Sequence, residues 1–146
     1  MTFFFRHKFF TLLFILFIWY WFYNPANRIG LARKGIVVYN RFPIFLFDLY
    51  INPDGKMVLL EDLNKEQSVG YWYKTHFTAK SSENKQTVFI VGTGFDSTEF
   101  IVNYSLVQKI QAQNILVKQM PSPEAIKQYN NMRDSLNSVS ILLKIK

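Results

Sequence analysis

The sequence predicts an α/β protein: a single domain with a mixed sheet and two helices, preceded by one transmembrane helix. Three observations carry this expectation. Residues 9–23 (FFTLLFILFIWYWFY) form one apolar run. Behind it, short aromatic and β-branched runs alternate with turn signals. Toward the C-terminus, helical patterns interleave with apolar runs, as in an α/β unit. With 146 residues, 49% of them hydrophobic, the chain suffices for one core and not two.

Only Thr11 interrupts the first apolar run, and no charge falls between Lys8 and Arg28. Fifteen helical residues rise about 22 Å, short of the ~30 Å hydrocarbon core. Phe3, Phe4 and Phe5, with the snorkelling stems of Arg6 and Lys8, are expected to close the gap. Phe9, Leu13, Phe17, Trp19 and Trp21 are the expected lipid contacts, with Tyr20 and Tyr23 completing an aromatic belt before Asn24-Pro25 stops the helix. A core helix would need enclosure on every face, and no small-residue cleavage site marks a signal peptide.

The formal charge is +7, and six of these charges flank the apolar run. Arg28, Arg33 and Lys34, followed by Arg41, stand without an intervening acid. Each would attract an anionic lipid surface by roughly 1 kcal/mol. A nucleic-acid binder would instead spread its cations over the folded domain, so nucleic acid is not an expected partner. The expected organisation is an anchor at 1–27, a basic juxtamembrane segment at 28–41 and an α/β domain at 36–146. The expected location is single-pass in a mitochondrial or bacterial inner membrane. Basic-residue asymmetry leans the domain toward the matrix or cytoplasm, with the opposite orientation left open.

In the domain, residues 36–39 and 43–51 (PIFLFDLYI) read as strands, and Asn52-Pro53-Asp54-Gly55 turns the chain into a partner strand at 56–60. Residues 71–78 alternate as a half-buried strand would, and 79–86 are polar loop. Residues 87–91 form an apolar central strand ending at Gly92-Thr93-Gly94. A helix is expected over 103–113 and a strand over 115–120. Ser122 as N-cap, with Pro123 and Glu124 in the first turn, then opens a second helix. A strand over 139–145 closes the chain.

The run VFIVGTG (residues 88–94), followed by a helix, a strand, MPSPEAIKQYN (residues 120–130) and a terminal strand containing VSILL, resembles the Mth938-like domain family. That family includes the mitochondrial respiratory complex I assembly factor three. Gly92, Thr93 and Gly94 match its first motif. Met120, Ala125, Tyr129 and Asn130 match its second, Ser122 keeps a hydroxyl and Lys127 keeps a charge, while Ile126 replaces a frequent cysteine. The resemblance implies a three-layer α/β domain and no single chemistry. The membrane anchor is not a general feature of the family.

The chain has no cysteine and two histidines, at 7 and 76, which removes thiolate chemistry and multi-histidine metal centres. Gly92-Thr93-Gly94 lacks the third glycine of a dinucleotide loop, Ser97 standing in its place. Asp48 interrupts an apolar strand, but no second acid pairs with it at a known spacing. Thr93, Gly94, Ser122, Lys127 and Asn130 are the candidate ligand residues, since a helix start can hold an anion beside strand carboxyl ends. Simple capping by Ser122 and a solvated Lys127 is the plainer reading. No enzyme activity, cofactor or metal is expected. The expected function is a membrane-anchored non-catalytic subunit or assembly factor of a membrane protein complex, with the respiratory chain as the system the resemblance suggests. Its partners would be complex subunits and the lipid bilayer. The alternative is a small anionic-ligand-binding protein or enzyme using the crevice between residues 92–95 and 122–130.

Overall fold

The computed structural model describes residues 2–61, 87–96, 104–112, 114–135 and 138–145. The expected strand over 71–78, with His76, and Ser97 lie outside these residues.

Helix α1 (Thr2–Tyr23) leads into a three-stranded antiparallel sheet of β1 (Ile29–Arg33), β2 (Ile36–Tyr39) and β3 (Phe42–Phe45), ordered β1-β2-β3. The second sheet holds β4 (Asp48–Ile51), β5 (Met57–Leu60), β6 (Thr87–Gly92), β7 (Ile115–Met120) and β8 (Val139–Leu143), in the order β5-β4-β8-β6-β7. Strand β6 runs parallel to both β7 and β8, whereas β4 pairs antiparallel with β5 and β8, so the sheet is mixed as expected. Helix α2 (Tyr104–Gln111) connects toward β7, and α3 (Ser122–Ser135) crosses from β7 to β8.

Strand alternation divides the core into two layers. Val88, Ile90, Ile141 and Leu143 face α3 and the small sheet, packing with Val37, Ile44, Ala125 and Tyr129. Phe89, Val91 and Leu142 face the other way, with Ile110 of α2 and Ile115. The near-continuous apolar character of β6 and β8 follows from this double coverage.

The run PIFLFDLYI is not one strand. Leu46 takes a positive φ of 58°, and the chain passes there from the small sheet into the large one. The basic segment after α1 is structured: IGLAR forms β1, with Ile29 in the core.

The single-pass membrane location is overturned. Among the described residues, no helix is long and apolar enough to cross a membrane. Helix α1 carries Arg6, His7 and Lys8 within its 22 residues, so its uninterrupted apolar stretch is residues 9–23, about 22 Å against the ~30 Å of a hydrocarbon core. Phe9, Leu13, Phe17, Trp19 and Trp21 are exposed side chains on this helix. Arg28 and Lys34 form surface ion pairs with Asp134 and Asp96, and Arg33 is exposed at the end of β1.

Candidate functional site

The parallel strands β6, β7 and β8 end together, and the residues beyond them are tied to one another. Thr93 donates its N–H to the Met120 carbonyl at 2.9 Å, and its hydroxyl reaches the same oxygen at 3.3 Å. Lys144 donates its N–H to the Gly92 carbonyl at 3.0 Å. The Ser122 N–H donates to the Gly94 carbonyl at 2.8 Å, while the Gly94 N–H donates back to Ser122 Oγ at 3.1 Å. Ser122 Oγ donates in turn to the Lys144 carbonyl at 3.1 Å. One buried hydroxyl thus joins the ends of β6 and β8 to the start of α3.

Ser122 does not cap its own helix. The Ala125 N–H donates to the Pro121 carbonyl, which places Ser122 at the first helical position and turns its side chain inward. Gly92 makes this possible: a Cβ there would lie 2.9 Å from Ser122 Oγ and 2.5 Å from Leu143 Cδ2. Gly94 adopts a φ of 137°, a region that side chains rarely enter.

Of the five candidate ligand residues, Thr93, Gly94 and Ser122 therefore meet at the strand ends, all buried. Their N–H groups bond the protein itself, so the donors an anion cradle requires are already used. Lys127 is exposed on α3. Asn130 lies about one turn further on and binds β1: the Ile29 N–H donates to its Oδ1 at 3.0 Å, and its Nδ2 donates to the Ile29 carbonyl at 2.8 Å. Tyr129, its neighbour in the motif, is fully buried, and burial holds its phenol far above the ordinary range. Arg133 donates to the Pro53 carbonyl and Tyr39 to the Gly55 carbonyl, fixing the β4–β5 turn against α3.

A second polar group lies in the core. Asp48 is fully buried, accepts the Ile145 N–H at 2.8 Å and faces Lys144 Nζ at 3.6 Å. Asp48 stands out in the sequence. Lys144 does not, although a lysine inside LLKIK is the available signal. Among the described residues, no group of three or more His, Asp or Glu could hold a metal ion.

The other conspicuous surface is α1. Its base is fixed by Asn24, whose Oδ1 accepts the Leu31 N–H and whose Nδ2 donates to the Tyr20 carbonyl. Tyr20 donates its hydroxyl proton to the Arg41 carbonyl at 2.7 Å, and the Arg41 guanidinium stacks over Trp21 at 3.5 Å. Above this base, Phe10, Phe14 and Phe17 are exposed, and so is Phe22 within it. A groove of about 320 Å³ between Tyr23, Leu31, Arg33, Pro123 and Ile126 runs along the junction.

The fold recurs in solved structures. A Bordetella pertussis protein, described as a Mth938-like domain, matches over 84% of this chain and 89% of its own at 17% identity and a TM-score of 0.58. The protein has a Mth938-like fold. MT938 matches over 82% of this chain and 97% of its own, at 18% identity and a TM-score of 0.54. Rpa2829 from Rhodopseudomonas palustris matches over 83% and 84%, at 24% identity and a TM-score of 0.61. No family model and no curated protein matches the sequence. In this Mth938-like domain the two motifs, Gly92-Thr93-Gly94 and the run from Met120 to Asn130, are the joints that hold strand ends, α3 and β1 together.

Proposed function

We propose that the chain is a non-catalytic subunit or assembly factor that acts by protein–protein contact within a membrane protein complex, with α1 as its docking element. The observation that carries this reading is the exposure of α1. From Phe9 to Trp19, and again at Trp21, Phe22 and Tyr23, its large apolar side chains are exposed, while Asn24, Tyr20 and Arg41 hold its base to the domain. Each large apolar side chain left in water forgoes about 1.5–3 kcal/mol of burial. A helix of this kind is matched by an apolar cleft between helices of a partner, such as a membrane protein complex offers. The resemblance to relatives of a respiratory assembly factor supports the same setting. The anionic-ligand alternative gains little from the geometry, because Gly94 and Ser122 use their N–H groups on each other.

The test is mild-detergent extraction of the tagged full-length protein, followed by size analysis and identification of attached polypeptides. A stable assembly with other chains is expected, lost when Phe10, Phe14 and Phe17 are changed to Ser. Migration as a lone monomer would overturn the proposal.

A further inference from the structure

We infer that the outer edge of the small sheet docks peripherally on an anionic lipid surface. Strand β3 is the outer strand of that sheet. In the six residues from Phe42 to Phe47, Phe42, Phe45, Leu46 and Phe47 are exposed, at 66%, 55%, 64% and 40%, while Ile44 turns into the core. Leu46 adds a second anomaly. Its φ of 58° is a conformation that glycine or asparagine adopts with less strain, and its side chain reaches into solvent. A bulky apolar residue that is both strained and exposed serves neither the turn nor the core, so its apolar side chain is what the position supplies.

The chemistry around the edge selects the partner. The Arg41 guanidinium, next in sequence to Phe42, lies over Trp21, Arg33 is exposed, and Arg28 and Lys34 form exposed ion pairs of the kind that contribute little. No acid occurs from residue 9 to residue 47. Aromatic and aliphatic tips rimmed by cations match the boundary between anionic headgroups and acyl chains. A second copy of the chain would bring the same cations together. A nucleic acid would leave Leu46 and the adjoining apolar surface of α1 without apolar cover. The contact requires no helix to span the bilayer.

The experiment uses the full chain and protein-free vesicles, so its outcome is independent of any partner complex. Vesicles of phosphatidylcholine alone are compared with an equimolar mixture of phosphatidylcholine and phosphatidylglycerol, each at low and high salt. Tighter binding to the anionic vesicles is expected, weakened by salt. The double variant Phe45→Ser/Leu46→Asn should bind about tenfold more weakly, since it removes two apolar side chains from the contact. Both positions are exposed, and asparagine suits the backbone at 46, so an unchanged melting temperature is expected. Arg33→Gln/Arg41→Gln gives a second route, lowering the salt dependence while leaving the apolar edge intact. Equal affinity of the parent and both double variants, or indifference to anionic lipid, would overturn the inference. So would a self-associated species that disappears in Phe45→Ser/Leu46→Asn.

Discussion

The Asn130 carboxamide and the Ile29 peptide group exchange two hydrogen bonds, at 3.0 and 2.8 Å, in the manner of a neighbouring strand. The side chain of α3 thereby covers the open edge of β1, and Asn24 does the same one step further along at Leu31. Asn130→Ala would strip both partners from Ile29, and the expected loss is about 2–3 kcal/mol. Urea unfolding measures it, and faster exchange of the Ile29 amide locates it. A residue reserved for a ligand would leave stability unchanged when truncated.

Ser122 makes a related prediction. Its hydroxyl accepts from Gly94 and donates to Lys144 in a site with no exposure. Ser122→Ala should remove about 1–3 kcal/mol by leaving those two groups unpaired. Gly92→Ala attacks the same joint from the other side. Its new methyl would stand 3.2 Å from the Ser122 backbone Cα and closer still to Oγ, and overpacking of this kind removes about 1–3 kcal/mol. Lowered urea midpoints in both variants, and less than additive loss in the double variant, would show that they act on one joint.

These joints explain how much of the fold is legible in the sequence. The strand over 87–91 and its glycine exit are readable because a strand covered on both faces must be apolar at every position. The helix after Met120 is readable from its first-turn residues, but the direction of the Ser122 hydroxyl is not, because its partners lie at Gly94 and Lys144, far away in sequence. Strand β1 is hidden because Gly30 weakens the pattern of IGLAR. The structure needs that glycine, since a Cβ there would fall 2.2 Å from Asn24 Oδ1. PIFLFDLYI conceals its break because Leu46 carries no turn signal. The apolar content of residues 9–23 is plain, but apolar content alone fixes neither the helix's surroundings nor its reach. Asn130 reads as a binding residue because an asparagine on a helix near a strand end suits a ligand and a backbone edge equally well.

The Asp48–Lys144 pair gives a sharper test. Asp48 is fully buried and the Lys144 side chain is 4% exposed. Lys144→Met removes the cation facing a buried carboxylate, and a loss of about 3–5 kcal/mol is expected. Asp48→Asn added to Lys144→Met should recover most of that loss. The amide removes the charge and keeps an oxygen for the Ile145 N–H. Thermal unfolding of the single and double variants checks this, and a double variant no more stable than Lys144→Met would contradict it.

The last prediction concerns alkaline pH. Burial raises the phenols of both Tyr50 and Tyr129 well above their ordinary range. In the unfolded chain the same groups ionise near pH 10. Their contribution to stability is therefore complete below about pH 10 and is lost as pH rises from there toward the folded-state values, because the unfolded state releases its protons first. Tyr129 Oη has no hydrogen-bond partner among the described residues. Tyr129→Phe should consequently change stability at neutral pH by less than about 1 kcal/mol. It should also remove part of the alkaline loss, leaving the share that belongs to Tyr50. Urea midpoints measured across the alkaline range for parent and variant decide the matter: curves of equal steepness would show that the Tyr129 phenol is not held protonated by the fold.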